Sequence, residues 1–503
     1  MLMHGLVLAG AERHPDRFAF RWVDHDAALT YAQAAAAMER AAGALAALGV
    51  QRGDRVTIFA PNGLDYLTTM LGAWRIGAIA ALVHVRLADQ LADYLADHTP
   101  RVVVYAHEQG EAVRRAGGTA QLVCMDGPQP GAHSLPELMA AAPPAPADPR
   151  DENAIAHLSY TSGSTGRPKG ACLAHEPTIR AARCIGERLR LRGDDASFGP
   201  TALSSSYQLV ANLLPQLAVG ATINIMRRWT PAAGFAAIEA SGATMLVANP
   251  PILAQLLAEA RAQGRPPGRL RLALSGGDPA PAALKQAFRD ELKLPLVESY
   301  GQSELGGFVA LGYPEGEADD SRLARIGPPP PDKDVVVLDL EGRPLPMGAT
   351  GELCLRGGFM AGYWNRPEAT AEATRGGMLH TGDVGFLDAD GCVTLRGRRA
   401  ELIEVGGVTW FPREVEEALQ RIPSVRLAAV IAMPDAVLGA RPAAFVTLEA
   451  GHHLDGARLK DDIAGKTPYD LAPLTVTVLD EMPLTATGKI ARAELAAAHR
   501  ADS

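Results

Sequence analysis

Short apolar runs alternate with amphipathic, alanine-rich segments over the first two thirds of the chain. The stretch LTYAQAAAAMERAAGALAALGV has the period of an α-helix and reaches its end near Gly49, and the apolar run DRVTIFAP that follows predicts a buried strand. LDYLTTMLGAWRIG and AIAALVHV repeat this pair, and GATINIM, ATMLVAN and RLALSGG predict further strands. This order favours an α/β fold with a largely parallel sheet and helices on both faces.

The pattern changes twice further along the chain. A Pro/Ala-rich linker, AAAPPAPADPRDEN, precedes a second sheet unit, and from about Val335 short strands with glycine turns predict a small β-barrel-like subdomain. After GRRAELIEVGG, a helix, a strand and a final αβ unit predict a small α+β C-terminal domain. We therefore predict an N-terminal domain over residues 1–397, a hinge over 398–403 and a mobile C-terminal domain over 404–503.

Composition excludes several classes of protein. The 503 residues carry a net charge of −9 and contain no basic run, which disfavours nucleic acid or an anionic membrane surface as a partner. The five cysteines are scattered without CxxC pairs or metal-ligand spacing, as expected of free thiols in a reducing cytoplasm. We expect the N-terminal sequence to form a first helix rather than an export signal, and the sequence shows no apolar run of about eighteen residues. We therefore expect a soluble, cytoplasmic monomer or homodimer.

The stretch YTSGSTGRPKG, residues 160–170, combines glycines, hydroxyl side chains and two cations. Glycines let backbone N–H groups converge on anionic oxygens, hydroxyls donate hydrogen bonds and cations neutralise charge, as binding of a polyphosphate requires. The glycine spacing differs from the Walker pattern. Taken alone, the stretch is also consistent with a surface turn.

Three further motifs place charged residues beside glycines. SYGQSELGG carries Glu304, HTGDVGFLD carries Asp383, and PLTATGKIARAEL carries Lys489. Each motif alone is consistent with an ordinary loop. Together with residues 160–170, and in this order and spacing, the motifs are far more specific than any one of them alone.

This set, together with GELCLRGGFMAGYWNRPEAT and GRRAELIEVGG, resembles the adenylate-forming enzymes. That family includes acyl-CoA synthetases, adenylation domains of peptide synthetases and luciferases, and the resemblance extends from LTYAQ to GKIARAEL. It implies that a carboxylate attacks the α-phosphorus of ATP and expels pyrophosphate, and that a small C-terminal domain swings across a larger domain that carries the sites. Coenzyme A is the implied acceptor.

The resemblance also implies residue roles. Glu304 would hold Mg²⁺, and Asp383 would accept hydrogen bonds from both ribose hydroxyls with Arg398 beside them. Lys489 would bridge the substrate carboxylate and the α-phosphate. Lys489, Glu304 and Thr161 would be the catalytic residues. The remaining nucleotide-binding residues are Ser162, Gly163, Ser164, Thr165 and Lys169 around the phosphates, and Gly276, Gly277, Tyr300, Gly301 and Ser303 on the adenine side, with Tyr300 stacked on the base.

The acid and the acceptor are less tightly specified. Candidates for the acid pocket are Tyr207, Asn249, Ser275 and Phe308, whose mixture of polar and aromatic side chains favours an aryl or medium-size acid over a long alkyl chain. Gly406 and Gly407 would leave room for the pantetheine arm of coenzyme A. An amine or a separate carrier protein is an alternative acceptor, and a non-catalytic nucleotide-binding relative is a remote alternative.

Three positions depart from the family pattern. Residues 204–207 read Ser-Ser-Ser-Tyr, where many acyl-CoA synthetases have an aromatic residue followed by His. This is either a local variation or a change in the acid pocket or acceptor route. Ala400 replaces the usual Asp or Lys of the hinge, which we expect to alter the rate of domain alternation rather than abolish it. Ser303 replaces the commoner Thr but retains the hydroxyl.

Overall fold

The computed structural model describes residues 1–146, 149–161, 168–316, 319–449, 451–484 and 490–499, without the side chains of Thr161 and Ser321. Strands within these ranges form four sheets. The five cysteines are free thiols, as predicted. Among the described residues, no helix is both long enough and apolar enough to cross a bilayer.

The first sheet has seven strands within the described ranges, and its neighbours are parallel except for the last pair, which is antiparallel. Its central strands are largely apolar, as expected where helices cover both faces of a sheet. In order across the sheet, the strands are His133–Ser134, Gln121–Cys124, Val102–Tyr105, Arg55–Phe59, Ile79–Leu82, Ile155–Thr161 and Lys169–Ala174.

The second sheet contains eight of the described strands and is parallel except at its two edges. In parallel strands the carboxyl ends share one edge, so Ser275 and Tyr300, which each end a strand, lie at the same edge. In order, the strands are Ala310–Leu311, Leu296–Tyr300, Leu272–Ser275, Met245–Ala248, Ala196–Gly199, Thr222–Ile225, Phe18–Trp22 and Ala27–Thr30.

The largest hydrophobic core lies between these two sheets. It joins Val56 of the first sheet and Val247 of the second to Met38 of an intervening helix. The outer faces of the sheets have cores of their own, built around Tyr105 and Phe198 respectively. Helices therefore lie on both faces of each sheet, which confirms the predicted α/β fold.

The last two sheets follow in sequence. The third lies where the sequence predicts the small β-barrel-like subdomain and is an antiparallel sheet with strands Asp334–Leu338, Gly351–Arg356, Leu379–Leu387 and Val393–Arg398. The fourth contains Val408–Trp410, Ile403–Val405, Gly439–Leu448 and Val425–Asp435, with Thr475–Val478 paired to Gly439–Leu448. The predicted hinge region contains a short 3₁₀ helix, Arg399–Glu401, between these two sheets.

Local sequence signals explain many of the helices. Thr30, for example, caps its helix with a reciprocal capping box in which Gln33 is the partner. The α-helices are Gly5–Arg13, Tyr31–Ala47, Leu64–Arg75, Leu91–His98, Gly110–Ala116, Leu135–Ala140, His175–Arg188, Leu214–Val219, Pro231–Ser241, Pro250–Gln263, Ala282–Asp290, Pro367–Ala373, Pro412–Gln420, Gly456–Asp462 and Arg492–His499.

A buried ion pair supports the strand that ends at Tyr300. Glu298 on this strand pairs with Lys285, and both residues are buried. The Lys285 ammonium also donates to the backbone carbonyls of Leu323 at 2.7 Å and Arg325 at 3.1 Å, while Glu298 accepts from the Ala280 N–H at 3.0 Å. Each charge is thus compensated on more than one side.

We predict that Lys285→Met lowers the free energy of unfolding by about 3–5 kcal/mol, because it leaves the Glu298 carboxylate buried without its cation. Chemical denaturation followed by tryptophan fluorescence measures the change. The matched control is Lys466→Met at an exposed lysine, which should change stability by less than about 0.5 kcal/mol. The double variant Lys285→Met/Glu298→Met should recover most of the loss, and equal effects of Lys285→Met and the control contradict the prediction.

Candidate active site

The site begins where the chain reverses at the edge of the first sheet. Ile155–Thr161 and Lys169–Ala174 pair antiparallel, with Thr161 opposite Lys169. The predicted phosphate-binding residues Ser162, Gly163, Ser164 and Thr165 lie outside the described residues, as do Lys489 and the side chain of Thr161. Their roles stay predictions. The Lys169 ammonium lies 5.6 Å from the centroid of the Tyr363 ring, in the geometry of a cation–π contact.

A buried carboxylate forms the second part of the site. Asp383 is 3% exposed, and its Oδ2 accepts hydrogen bonds from the Tyr300 hydroxyl at 2.5 Å and from the Gln302 amide at 2.7 Å. Its Oδ1 lies 3.3 Å from Arg398 Nε. The structure thus brings together three of the predicted residues, Tyr300, Asp383 and Arg398.

The Tyr300 hydroxyl keeps its proton and so remains a hydrogen-bond donor to Asp383. Burial, together with the neighbouring charge of Asp383, raises the pKa of the phenol well above its usual range. Tyr300 therefore keeps its proton at all physiological pH values. Its predicted contact with adenine stays a prediction.

Glu304 lies on the short 3₁₀ helix Ser303–Leu305 that follows the same strand. Its Oε1 accepts a hydrogen bond from the Tyr363 hydroxyl at 2.7 Å, and its backbone carbonyl accepts from the Met360 N–H at 2.6 Å. A carboxylate keeps further acceptor positions after one such hydrogen bond, and carboxylate oxygens are the ligands that Mg²⁺ prefers. The donor set therefore fits the predicted metal.

The predicted acid-pocket residues lie at the carboxyl edge of the second sheet. The Tyr207 hydroxyl donates to the Leu274 carbonyl at 2.9 Å, and the Tyr207 and Phe308 ring centroids are 6.3 Å apart. Ser275 is fully buried, and among the described residues its hydroxyl has no hydrogen-bond partner. A Cβ at Gly276 would overlap with the Tyr207 ring, so only glycine fits there.

Asn249 has a structural contact that the sequence analysis did not foresee. Its side-chain oxygen accepts from the Ile252 N–H at 3.4 Å and caps the helix Pro250–Gln263. It nevertheless directly follows Ala248, whose carbonyl lies 3.5 Å from the Tyr207 hydroxyl.

The residues directly after the Ser-Ser-Ser-Tyr segment have an unusual backbone. Gln208–Leu213, directly after Tyr207, forms a π-helix, a conformation that is frequent at functional sites. Its amides are buried: Gln208 donates to Thr201 Oγ1, and the Asn212 amide donates to Gln208 Oε1 at 2.9 Å. The Ser206 hydroxyl lies 3.2 Å from that of Ser303, which links this segment to the Glu304 turn.

Ion pairs flank the predicted hinge residue. Ala400 is exposed, and Arg399 beside it lies 3.4 Å from Glu352. On its other side Glu401 lies 3.8 Å from Arg492.

The predicted acceptor-side glycines occupy a tight turn. Gly406 and Gly407 connect the strands Ile403–Val405 and Val408–Trp410 with φ values of +56° and +85°. Two consecutive positive φ values are the requirement of a two-residue hairpin turn, and glycine meets it without strain. Both residues are exposed.

Sequence reasoning missed several residues that hold the site together. Gln302 lies inside the SYGQSELGG motif, and Tyr363 inside GYWNRPEAT, so the motifs contained a signal for both. Asp97, which accepts a hydrogen bond from Tyr160 at 2.9 Å, is 63 positions away in sequence and lies in no motif.

Comparison with known proteins agrees with this geometry. Residues 8–364 match the model of the AMP-binding enzyme family, and residues 414–489 match that of the AMP-binding enzyme C-terminal domain. A feruloyl-CoA synthase from Amycolatopsis sp is 32% identical over 470 residues, which are 93% of each chain.

Two solved structures are also similar. The structure of an anthranilate CoA ligase in complex with anthranoyl-AMP has a TM-score of 0.92 and 25% identity, covering 100% of this chain and 98% of that one. An amide bond synthetase from Marinactinospora thermotolerans has a TM-score of 0.87 and 26% identity, covering 99% of this chain and all of the other. The chain belongs to the AMP-binding family of adenylate-forming enzymes and resembles the acyl-CoA synthetases within it.

Proposed function

We propose that the protein is an AMP-forming acid–CoA ligase that activates a small aromatic carboxylic acid with ATP and Mg²⁺. The observation that carries this proposal is the pair of carboxylates that hydrogen bonds fix near the turn after Tyr300: Glu304 within the turn, and Asp383 bonded to Tyr300 and Gln302. The Asp383 carboxylate suits a ribose diol, and the Glu304 carboxylate suits a metal bound to phosphate.

In the first half-reaction, the substrate carboxylate oxygen forms a bond to the α-phosphorus while the bond from that phosphorus to pyrophosphate breaks. Two anions approach each other, so the protein must neutralise charge and hold the groups in line. We assign this task to Lys169, the hydroxyls of residues 161–165 and Lys489. Glu304 would hold Mg²⁺, which would supply further charge neutralisation at the phosphates.

The nucleoside is held at the edge of the second sheet. Asp383 accepts hydrogen bonds from the ribose hydroxyls. Its carboxylate is kept in place by the protonated Tyr300 phenol, by Gln302 and by Arg398. The adenine lies near Gly276, Gly277, Gly301 and Tyr300. At Gly301, a Cβ would come within 2.8 Å of the Gly307 carbonyl oxygen, so the close approach of the backbone requires glycine.

The surroundings of Tyr207 support an aromatic acid. Its neighbours are uncharged: the Leu274 carbonyl, the Phe308 ring and the backbone of Gly276. An aromatic ring packed beside Tyr207 and Phe308 would gain apolar and edge-to-face contacts. Two similar proteins, a feruloyl-CoA synthase and an anthranilate CoA ligase, are named for aromatic acids.

In the second half-reaction, the thiol sulfur of coenzyme A forms a bond to the acyl carbon, the bond to AMP breaks, and the thiol proton passes to solvent. We propose that the C-terminal domain, residues 404–503, rotates about Ala400 to bring the Gly406–Gly407 turn to the acceptor. The free thiols of the chain fit a reducing cytoplasm, where we place the enzyme.

A second candidate acceptor is an amine. The overall likeness to an amide bond synthetase favours it, as does the Ser-Ser-Ser-Tyr sequence at residues 204–207 in place of the usual aromatic–His pair.

The purified protein with ATP, Mg²⁺ and coenzyme A should convert an aromatic acid to its acyl-CoA and release AMP. A panel of benzoic, cinnamic, indole and straight-chain acids, with products identified by mass spectrometry, tests this; parallel samples contain simple amines in place of coenzyme A. Amides without any thioester would establish the amine acceptor, and acyl-AMP alone would indicate a carrier protein. ADP as product, or no nucleotide turnover with any acid, contradicts adenylation.

Lys489→Ala should lower the rate of pyrophosphate exchange by about 10²–10³, the usual cost of losing a preorganised charge at a transition state. ATP binding should persist, since the ribose and metal ligands are intact. Lys466→Ala is the matched control at an exposed lysine and should exchange pyrophosphate like the wild type. Unchanged exchange by Lys489→Ala would remove this lysine from the mechanism.

Gly276→Ala should raise the KM for the acid more than the KM for ATP. The added methyl overlaps with the Tyr207 ring, and over-packing of about 1–3 kcal/mol corresponds to roughly a five- to hundredfold effect. Gly186→Ala is the control, because its Cβ meets nothing closer than 3.8 Å. Normal acid binding by Gly276→Ala would show that Tyr207 does not line the pocket.

A further inference from the structure

The segment after the third-sheet strand Gly351–Arg356 runs along the outer edge of the first sheet. The N–H of Ala361 donates to the Cys172 carbonyl at 2.9 Å, and that of Trp364 donates to the Gly170 carbonyl at 2.7 Å. Tyr363 forms an isolated antiparallel bridge with Ala171. The strand that begins at Lys169 is therefore paired along both of its edges.

Within this segment, Tyr363 contacts two charged residues of the proposed site at once. Its hydroxyl donates to Glu304 Oε1 at 2.7 Å, and its ring centroid lies 5.6 Å from the Lys169 ammonium. A single rigid side chain thus separates the cation proposed to bind the phosphates from the carboxylate proposed to hold their metal.

Arg366, three residues later, reaches the other side of the chain reversal. It pairs with Asp97 Oδ1 at 2.6 Å, and Asp97 Oδ2 accepts from the Tyr160 hydroxyl at 2.9 Å. The Asp97 side chain is 3% exposed, whereas that of Arg366 is 39% exposed, so the buried carboxylate is reached by a partly exposed cation. Tyr160 directly precedes Thr161, the last residue of its strand.

The contacts of Tyr160 continue into the core. His98 Nδ1 lies 2.8 Å from the Tyr160 hydroxyl, and His98 Nε2 lies 2.6 Å from Thr57 Oγ1. Since Tyr160 donates to Asp97, it accepts from His98 Nδ1–H, and His98 Nε2 accepts from Thr57. Burial, assisted by Arg55, lowers the pKa of His98 to about 3, so the ring stays neutral at physiological pH.

We propose that residues 362–366 form a clamp that positions the two strand ends around residues 162–167. Tyr363 is a positioning residue that fixes the Glu304 carboxylate relative to Lys169, and Arg366 fixes Tyr160 through Asp97. This inference rests on the proposed adenylation reaction, in which Glu304 and Lys169 act on the same phosphates.

A purely structural role for Tyr363 would predict a loss of stability alone. A positioning role predicts instead that the hydroxyl acts through Glu304, and therefore through the metal. ATP binding by the full-length chain separates the two, because it can be measured by calorimetry in EDTA and in Mg²⁺ without acid or coenzyme A.

Tyr363→Phe should bind ATP in EDTA within about twofold of the wild type, since the ring beneath Lys169 is retained. The factor by which Mg²⁺ raises the affinity for ATP should be about tenfold smaller than in the wild type, as expected for one lost hydrogen bond to a charged group. In a Glu304→Gln background, Tyr363→Phe should have no further effect on that gain. Pyrophosphate exchange should show a lower kcat with an unchanged KM for the acid.

Tyr313→Phe is the matched control, because Tyr313 is 51% exposed and its ring contacts Arg188 instead. It should leave ATP affinity unchanged in both conditions. An undiminished Mg²⁺ effect in Tyr363→Phe, or an equal effect of Tyr363→Phe with and without Glu304, overturns the role of Tyr363.

Arg366→Gln tests the other arm and also serves if Tyr363→Phe unfolds. It should weaken ATP binding several-fold equally in EDTA and Mg²⁺, since it loosens Tyr160 and leaves Glu304 untouched; unchanged affinity contradicts the clamp. If the wild-type protein binds ATP with a Mg²⁺ gain yet adenylates no acid, the proposed function fails while the clamp remains testable.

Discussion

The antiparallel ladder between Ile155–Thr161 and Lys169–Ala174 turns the chain back on itself, and the candidate site is arranged around that reversal. Ile155–Thr161 is also parallel to Ile79–Leu82, so one side of the ladder is continuous with the buried sheet. The other side receives the segment that contains Tyr363. Backbone hydrogen bonds contribute only about 1 kcal/mol each, but a strand paired along both edges cannot shift without breaking many of them together. The strand that begins at Lys169 can therefore hold this cation at a fixed position.

Asp383 imposes a second constraint, because a buried carboxylate is costly unless donors and cations surround it. Tyr300 and Gln302 come from the second sheet, whereas Arg398 ends the last strand of the third. One carboxylate thus joins the two units. Since Arg398 is also the first residue of the proposed hinge, a nucleotide held by Asp383 would be coupled to the hinge through a single side chain.

The sequence permitted prediction of those features that depend on neighbouring residues. The helix Tyr31–Ala47 follows from its period and its Thr30 cap, and Asp383, Glu304 and Tyr300 follow from motifs of a few residues each. Contacts between distant residues were beyond such reasoning: Asp97 meets Tyr160 and Arg366 only because three separate elements pack together. The π-helix Gln208–Leu213 was also missed, since its apolar spacing resembles that of an ordinary α-helix.

The interactions around Ala400 differ in kind from those that hold the residues proposed to bind the nucleotide. Arg399–Glu352 and Glu401–Arg492 each include a side chain that is more than a third exposed, and such pairs contribute only about 0–1 kcal/mol. Rotation at Ala400 would leave both pairs in place, since Arg399 and Glu352 precede it and Glu401 and Arg492 follow it, and Ala itself has no charged contact to break. Tyr300 and Asp383, by contrast, are buried and hydrogen-bonded. The edge proposed to bind the nucleotide is therefore held rigidly by buried hydrogen bonds, whereas the proposed hinge residue carries no charged contact that would oppose its rotation.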